Sequence, residues 1–270
     1  MTLDLQTDGP LLVSEPAPHV FELRLNRPDR LNALDPDLLS RLRQALDAAA
    51  EDLRVRVIVL SGAGRGFCAG FDLDALGATW SAGLPELLSA QESWAATCQR
   101  LVDHPVPVIA AVTGPAVGAG MSLALAADLR VVTAETSFGA AFVRVGLSGA
   151  DLGLSWTLPR TVGMGLAAEI MFTGRQVRGE EAYRIGLANR LCAGPDVLAV
   201  ALELAAEIAA NSPFGVRLTK QVLHAGVDAS SFTAATEIEN RNQILASRTE
   251  DMAEAYRALR ECRKPTFRNR

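Results

Sequence analysis

Residues 106–128 read VPVIAAVTGPAVGAGMSLALAAD: an apolar run, a glycine-punctuated turn, then a run of small and apolar residues. The first part predicts a strand and the last a helix over about residues 117–127. A strand that enters a helix through such a turn leaves backbone N–H groups unpaired at the helix start, where an anionic oxygen can sit. Residues 61–72, SGAGRGFCAGFD, repeat the pattern directly after the apolar run 55–60. Two such turns can supply two backbone donors to one oxygen.

Upstream, residues 11–13 and 20–25 read as two short strands around Glu15-Pro16-Ala17-Pro18, and residues 26–34 as a loop rich in Asn, Pro and Asp. Asp35 before Pro36 is a good N-cap with proline at the first helical position, and Leu38, Leu42, Ala45, Leu46 and Ala49 then recur at helical spacing to about residue 52. Over residues 74–102, Gly77, Gly83 and Pro85 predict a loosely structured segment followed by a helix from about residue 85. Downstream come a strand at 129–134, a Gly- and Ala-dense loop at 138–153 that suits a site wall, helices at 154–160, 164–171 and 178–185, and a short strand at 189–192. Gly194-Pro195 marks the best boundary, after which four helices are expected at 196–210, 213–225, 230–247 and 250–260. The recurring strand, glycine turn and helix predict an α/β fold of stacked β-β-α turns over residues 1–194, with a helical region over 195–270.

Composition narrows the function classes. With 270 residues, 49% of them hydrophobic and 21% charged, the chain can bury a full core. A net charge of −5 disfavours nucleic acid as a partner. Cys68, Cys98, Cys192 and Cys262 are far apart and form no CxxC pair, which predicts neither a disulfide framework nor a metal site. Asp4 and Asp8 stand where a secretory leader would be basic, and no uninterrupted apolar run is long enough to span a bilayer, so a soluble cytoplasmic protein without a membrane partner is expected. The Gly62-Ala63-Gly64-Arg65-Gly66 turn fails the dinucleotide fingerprint because Phe67 occupies the third glycine position. Gly146-Leu147-Ser148-Gly149-Ala150 ends on alanine where a nucleophile elbow needs glycine.

Three motifs then act together: Asn26-Arg27-Pro28 with Leu31-Asn32-Ala33-Leu34, Gly66-Phe67-Cys68-Ala69-Gly70-Phe71-Asp72-Leu73, and Gly114-Pro115-Ala116-Val117-Gly118-Ala119-Gly120. In order and separation they resemble the crotonase (enoyl-CoA hydratase/isomerase) superfamily, and the similarity continues through Asp128-Leu129-Arg130 and Leu158-Pro159-Arg160 into the tail. The resemblance implies a crotonase-like spiral of β-β-α turns, a C-terminal helical trimerisation region giving a homotrimer or a dimer of trimers, and an acyl-CoA substrate of fatty-acid or related metabolism. Coenzyme A would enter as part of that substrate, with no separate cofactor.

The same resemblance implies roles for single residues. The Phe71 and Ala119 backbone N–H groups would hold the thioester oxygen as an oxyanion hole, Ala119 replacing the more usual glycine. Arg27, Asn32, Ala33, Leu34, Phe67, Cys68 and Ala69 match contacts to the CoA moiety, and Gly70, Gly118, Gly120, Ser122 and Phe142 complete the expected substrate-binding positions. The two glutamates of a typical hydratase fall on Ser122 and Phe142, so both carboxylates are absent. Phe142, Phe71 and Trp80 would line an apolar acyl pocket. Asp151 is the substitute base, placed similarly to a functional aspartate of isomerases in the superfamily. As a residue it reads equally as the N-cap of a helix beginning near Leu152. Arg144 can pair with it or line the entrance. The expected activity is isomerase-like proton transfer on an enoyl thioester; the alternative is an acyl-CoA binder that has lost catalysis.

Overall fold

In the computed structural model, which describes residues 2–193 and 196–270, the chain opens with an antiparallel pair, β1 (Leu11–Ala17) and β2 (Val20–Leu25). A loop then leads to α1 (Pro36–Glu51), where Asp35 accepts from Leu38 N–H at 2.8 Å as the expected cap. β3 (Val57–Gly62), α2 (Leu73–Trp80) and α3 (Leu84–Val102) follow. Next come β4 (Val108–Val112), β5 (Pro115–Val117), α4 (Ala119–Ala126), β6 (Leu129–Thr133) and β7 (Ser137–Gly139). α5 (Leu154–Val162), α6 (Met164–Thr173), β8 (Gln176–Arg178), α7 (Gly179–Arg184) and β9 (Arg190–Cys192) complete the strand-bearing part. The chain finishes with α8 (Val197–Ala209), α9 (Pro213–Val227), α10 (Phe232–Ala246) and α11 (Glu250–Arg260).

The strands form two sheets, between which the chain alternates from β4 to β7. The larger has the order β1-β2-β3-β4-β6-β9 and is parallel from β2 onward; the smaller is β5-β7-β8. Each passage from β4 to β5 and from β6 to β7 is one turn of the spiral that the repeated sequence pattern predicts. Single bridges, Cys68 to Ala116 and Leu34 to Phe71, extend the smaller sheet into the loops of the preceding turns.

Both faces of the larger sheet are covered. Phe21, Leu23, Ile58, Leu60, Val108 and Ala110 pack toward α1, α3 and α4, while Val20, Val57, Val59, Ile109 and Val131 pack beneath Val197, Ala201 and Ala205 of α8. Two-sided burial is why β3 and β4 read as unbroken apolar runs and not as alternating ones. The expected boundary at Gly194-Pro195 lies outside the described residues. α8, beyond it, is part of the core, so the helices that stand off the sheet begin with α9. There Lys220 Nζ, 8% exposed, reaches Asp128 Oδ2 at 2.7 Å, the oxygen that also accepts from Val108 N–H. Residues 73–80 are helical where the glycine content predicted looseness, because Asp72 Oδ1 accepts from Asp74 N–H at 3.1 Å and caps the first turn. No single helix is long and apolar enough to cross a membrane among the described residues.

One side chain joins the first three turns. Asn32, wholly buried and at φ 56°, accepts from Arg27 N–H at 2.9 Å and donates to Ala63 O at 2.9 Å and Gly66 O at 2.8 Å. Replacing it leaves three backbone groups without this partner, that of Gly66 buried and those of Arg27 and Ala63 half-buried. Asn32→Ala is expected to lower the unfolding free energy by about 3 kcal/mol, read by urea denaturation; a loss under about 1 kcal/mol would show that the clamp is dispensable.

Candidate active site

The two glycine turns meet, and backbone geometry fixes where their donors point. Leu34 N–H donates to Gly70 O at 2.7 Å, and Asp72 N–H returns to Leu34 O at 2.9 Å. Because the Gly70–Phe71 peptide is planar and trans, its N–H points away from its engaged carbonyl. At that turn Gly118 O accepts from Met121 N–H at 2.9 Å and Ser122 N–H at 3.1 Å, so the Ala119 N–H of the same peptide unit projects out of the helix start. Neither the Phe71 nor the Ala119 N–H has an acceptor among the described residues. The turns lie close enough that a Cβ built on Gly70 would stand 3.8 Å from Ala119 N.

Alanine at 119 needs no special backbone. The unusual conformation falls on Gly118, at φ 54° and ψ −122°, and Ala119 opens α4 normally. At the start of α4 glycine is required at Gly120, whose added Cβ would collide with Cys68 O where α4 crosses the first turn.

Both donors line a cavity of about 730 Å³. Its walls are largely apolar: Phe71 and Trp94 meet with ring centroids 4.6 Å apart at 45°, Phe142 packs below Gly118, and Trp80 and leucines of α2 and α3 complete them. Asp151 is its one ionisable side chain among the described residues, with Gln91 and Ser148 as polar neighbours. Asp151 Oδ1 accepts from Gln91 Nε2 at 2.5 Å and from Leu152 N–H at 2.8 Å, and Oδ2 has no partner among the described residues. Burial pushes the carboxyl above its ordinary range, against the opposing pull of these two donors.

The capping alternative for Asp151 does not hold. α5 starts at Leu154 with Gly153 as N-cap and no side-chain cap bond, and Asp151 meets it only through its backbone oxygen, which accepts from Leu154 N–H at 3.0 Å. Leu152 carries φ 50°, which costs a leucine about 1–3 kcal/mol, and this turn sets the carboxylate beside its own neighbour's N–H.

The cavity wall thus brings together Phe71, Trp80, Ala119, Asp151, Ala69, Gly70, Gly118 and Phe142 of the residues singled out from sequence. The others stand behind it. Arg27 is tied to Asp72 at 2.8 Å, Asp35 at 3.2 Å and Ala33 O. Phe67 and Cys68 are fully buried, with their N–H groups on Thr113 O and Pro115 O. Asn32 is the clamp already described, and Leu34 holds the Gly70 peptide. Ser122 is 1% exposed and donates through Oγ to Asp151 O at 3.1 Å, so it faces the segment carrying Asp151 and not the cavity. Arg144 does not bond to Asp151, whose side-chain partners are Gln91 and the Leu152 N–H. Sequence reasoning missed Gln91. The available signal was a lone polar residue in the apolar stripe Leu84, Leu87, Leu88, Trp94 of α3.

Comparison with known proteins places this arrangement. The sequence profile of the family described as enoyl-CoA hydratase/isomerase matches residues 16–270. The Mycobacterium tuberculosis (strain H37Rv) protein named "Probable enoyl-CoA hydratase EchA12" is 40% identical over 267 residues, 95% of this chain and 92% of that one. The Escherichia coli K12 1,2-epoxyphenylacetyl-CoA isomerase is 33% identical over 249 residues, covering 92% of this chain and 94% of that protein. A crystal structure from Streptomyces coelicolor A3(2) superposes with a TM-score of 0.92 at 40% identity, over 97% of this chain and 95% of its own. The chain belongs to the enoyl-CoA hydratase/isomerase family and has the crotonase fold.

Proposed function

We propose that the cavity binds an acyl-CoA thioester and shifts its double bond by proton transfer through Asp151. The observation that carries the reading is that Phe71 and Ala119, whose backbone N–H groups have no acceptor among the described residues, line one cavity with Asp151, its one ionisable side chain among those residues. The Asp151 carboxylate takes a proton from the carbon next to the thioester, and the electron pair moves onto the thioester oxygen. The two N–H groups stabilise that enolate by about 3–4 kcal/mol each. Asp151, now protonated, delivers the proton two carbons along, and the double bond moves with no net change in atoms. One carboxylate suffices because the same group removes and returns the proton.

Ser122 and Phe142 at the places of the hydratase glutamates favour isomerisation over ordinary hydration. The aromatic and leucine walls suit a bulky apolar acyl group, and the name of the E. coli relative, an isomerase of an aromatic acyl-CoA, is in keeping with this. The position of Asp151 weighs against a binder without catalysis. The family resemblance also carries a trimeric assembly, and the exposed Phe232, Ile244, Leu245 and Leu259 of α10 and α11 are surface that a second copy would cover.

Incubation with 2-enoyl-, 3-enoyl- and 3,5-dienoyl-CoA in D₂O tests the reading. Deuterium exchange without water addition is expected, falling about 10²–10⁴-fold in Asp151→Asn; binding without exchange in any substrate, or turnover that survives Asp151→Asn, overturns it. The base acts only when ionised and burial raises its pKa, so the rate should fall with decreasing pH through a value above the ordinary aspartate pKa of about 3.9. Ala119→Pro removes one donor at a helix position where proline is tolerated. It should cost about 10²–10³-fold in kcat with helix content unchanged by circular dichroism; unchanged kcat would remove Ala119 from the site.

A further inference from the structure

α3 presents Leu84, Leu87, Leu88, Gln91 and Trp94 to the cavity, at the spacing of one helix face. A polar residue in the middle of an apolar stripe needs a partner, and Gln91 finds it in Asp151 Oδ1, at 2.5 Å. The two residues are 60 positions apart in the chain, so no local turn imposes the contact. Four contacts fix Asp151: Leu152 N–H holds Oδ1 from its own loop, Ser122 Oγ on α4 and Leu154 N–H of α5 hold its backbone oxygen, and Gln91 on α3 grips the carboxylate from a distant part of the chain.

We propose that Gln91 is a positioning residue for the proton transfer, orienting the Asp151 carboxylate so that Oδ1 is held and Oδ2 is presented to the acyl group; this rests on the reading of Asp151 as the base. A carboxamide suits the task for a chemical reason. Its N–H₂ donates to a carboxylate but carries no charge, so it fixes the carboxylate's direction without the strong pKa depression that an Arg or Lys partner would impose. Desolvation then remains the larger influence, and the carboxyl titrates above its ordinary range. The titratable groups facing it are few: no other ionisable side chain lines the cavity among the described residues, and the buried Cys98 thiol lies on the same helix behind it, pushed up to about 12 by burial.

Gln91→Leu keeps the volume and removes the donor, and Gln91→Glu keeps the shape and sets a second carboxylate against Asp151. In the D₂O exchange assay Gln91→Leu should lower kcat about 10–100-fold with KM within about twofold. The acid limb of its pH–rate profile should move to higher pH, because the lost hydrogen bond favoured the ionised form. Gln91→Glu should move that limb further, by like-charge repulsion. Both variants are checked for native circular dichroism and thermal midpoint, and if Gln91→Leu misfolds the pH profile of Gln91→Glu decides alone. Wild-type kcat and an unmoved acid limb in the folded variants, with Asp151→Asn inactive, would overturn the role of Gln91 and leave Asp151 as base. Activity retained in Asp151→Asn would overturn both.

Discussion

The hydrogen bond from Leu34 N–H to Gly70 O, 2.7 Å long, decides where the first donor of the site points. A peptide plane has one carbonyl and one N–H on opposite sides, so engaging the carbonyl aims the N–H. Leu34 is itself placed by the clamp at Asn32, which ties its loop to the carbonyls of Ala63 and Gly66 in the next turn of the spiral. The polar side chains of residues 26–35 therefore act on backbone, on one another and on Asp72 and Asp74 of the next turn, and the group this region positions at the cavity is a main-chain N–H. This is why side-chain identity at the donor positions is permissive. Alanine at 119 presents the same N–H a glycine would, once Gly118 has taken the turn.

Asp72 and Asp151 show how one residue type is divided between structure and chemistry. Asp72 is bonded to the Arg27 guanidinium and caps α2, and those contacts hold its carboxyl below the usual range. Asp151 has a neutral amide for a partner and apolar walls around it, and burial pushes it up. An ion-paired carboxylate is a poor proton acceptor, whereas a desolvated one with a free oxygen is a competent one. The environments of the two carboxyl groups are driven apart, which supports the proposal that Asp72 is structural and Asp151 the base.

Much of the fold was legible because burial leaves a pattern in sequence. β3 and β4 are covered on both faces and read as apolar runs; α1 announces itself through Asp35 and Pro36. α2 was obscured by Gly77, and β8 is three residues long, too short for any period to register. Within the site, the motifs led to both donor turns and to Asp151. They did not distinguish residues that line the cavity from residues that build its wall, since Arg27, Asn32 and Cys68 have their partners 31 to 48 positions away or more locally in ways spacing does not reveal. Gln91 left only the weak signal of a polar residue in an apolar stripe, because a glutamine in a helix reads as solvent-facing until the loop bearing Asp151 is known to reach α3.

α4 links the two halves of the proposed chemistry. Its first residue offers the Ala119 N–H, and three residues later, one turn along and about 4.5 Å of rise away, Ser122 Oγ grips the backbone of Asp151. The helix is buried along its whole length and Gly120 seats it tightly on Cys68 O, so it cannot rotate without breaking the core. Oxygen-binding donor and proton-transferring carboxylate are thereby referenced to one rigid element, which is the condition for near-attack geometry. A glutamate at 122 would need charge and volume at a position that is 1% exposed and packed against the 151 loop. With serine there, the loop can close onto α4, and the carboxylate that closure carries is the one that faces the cavity.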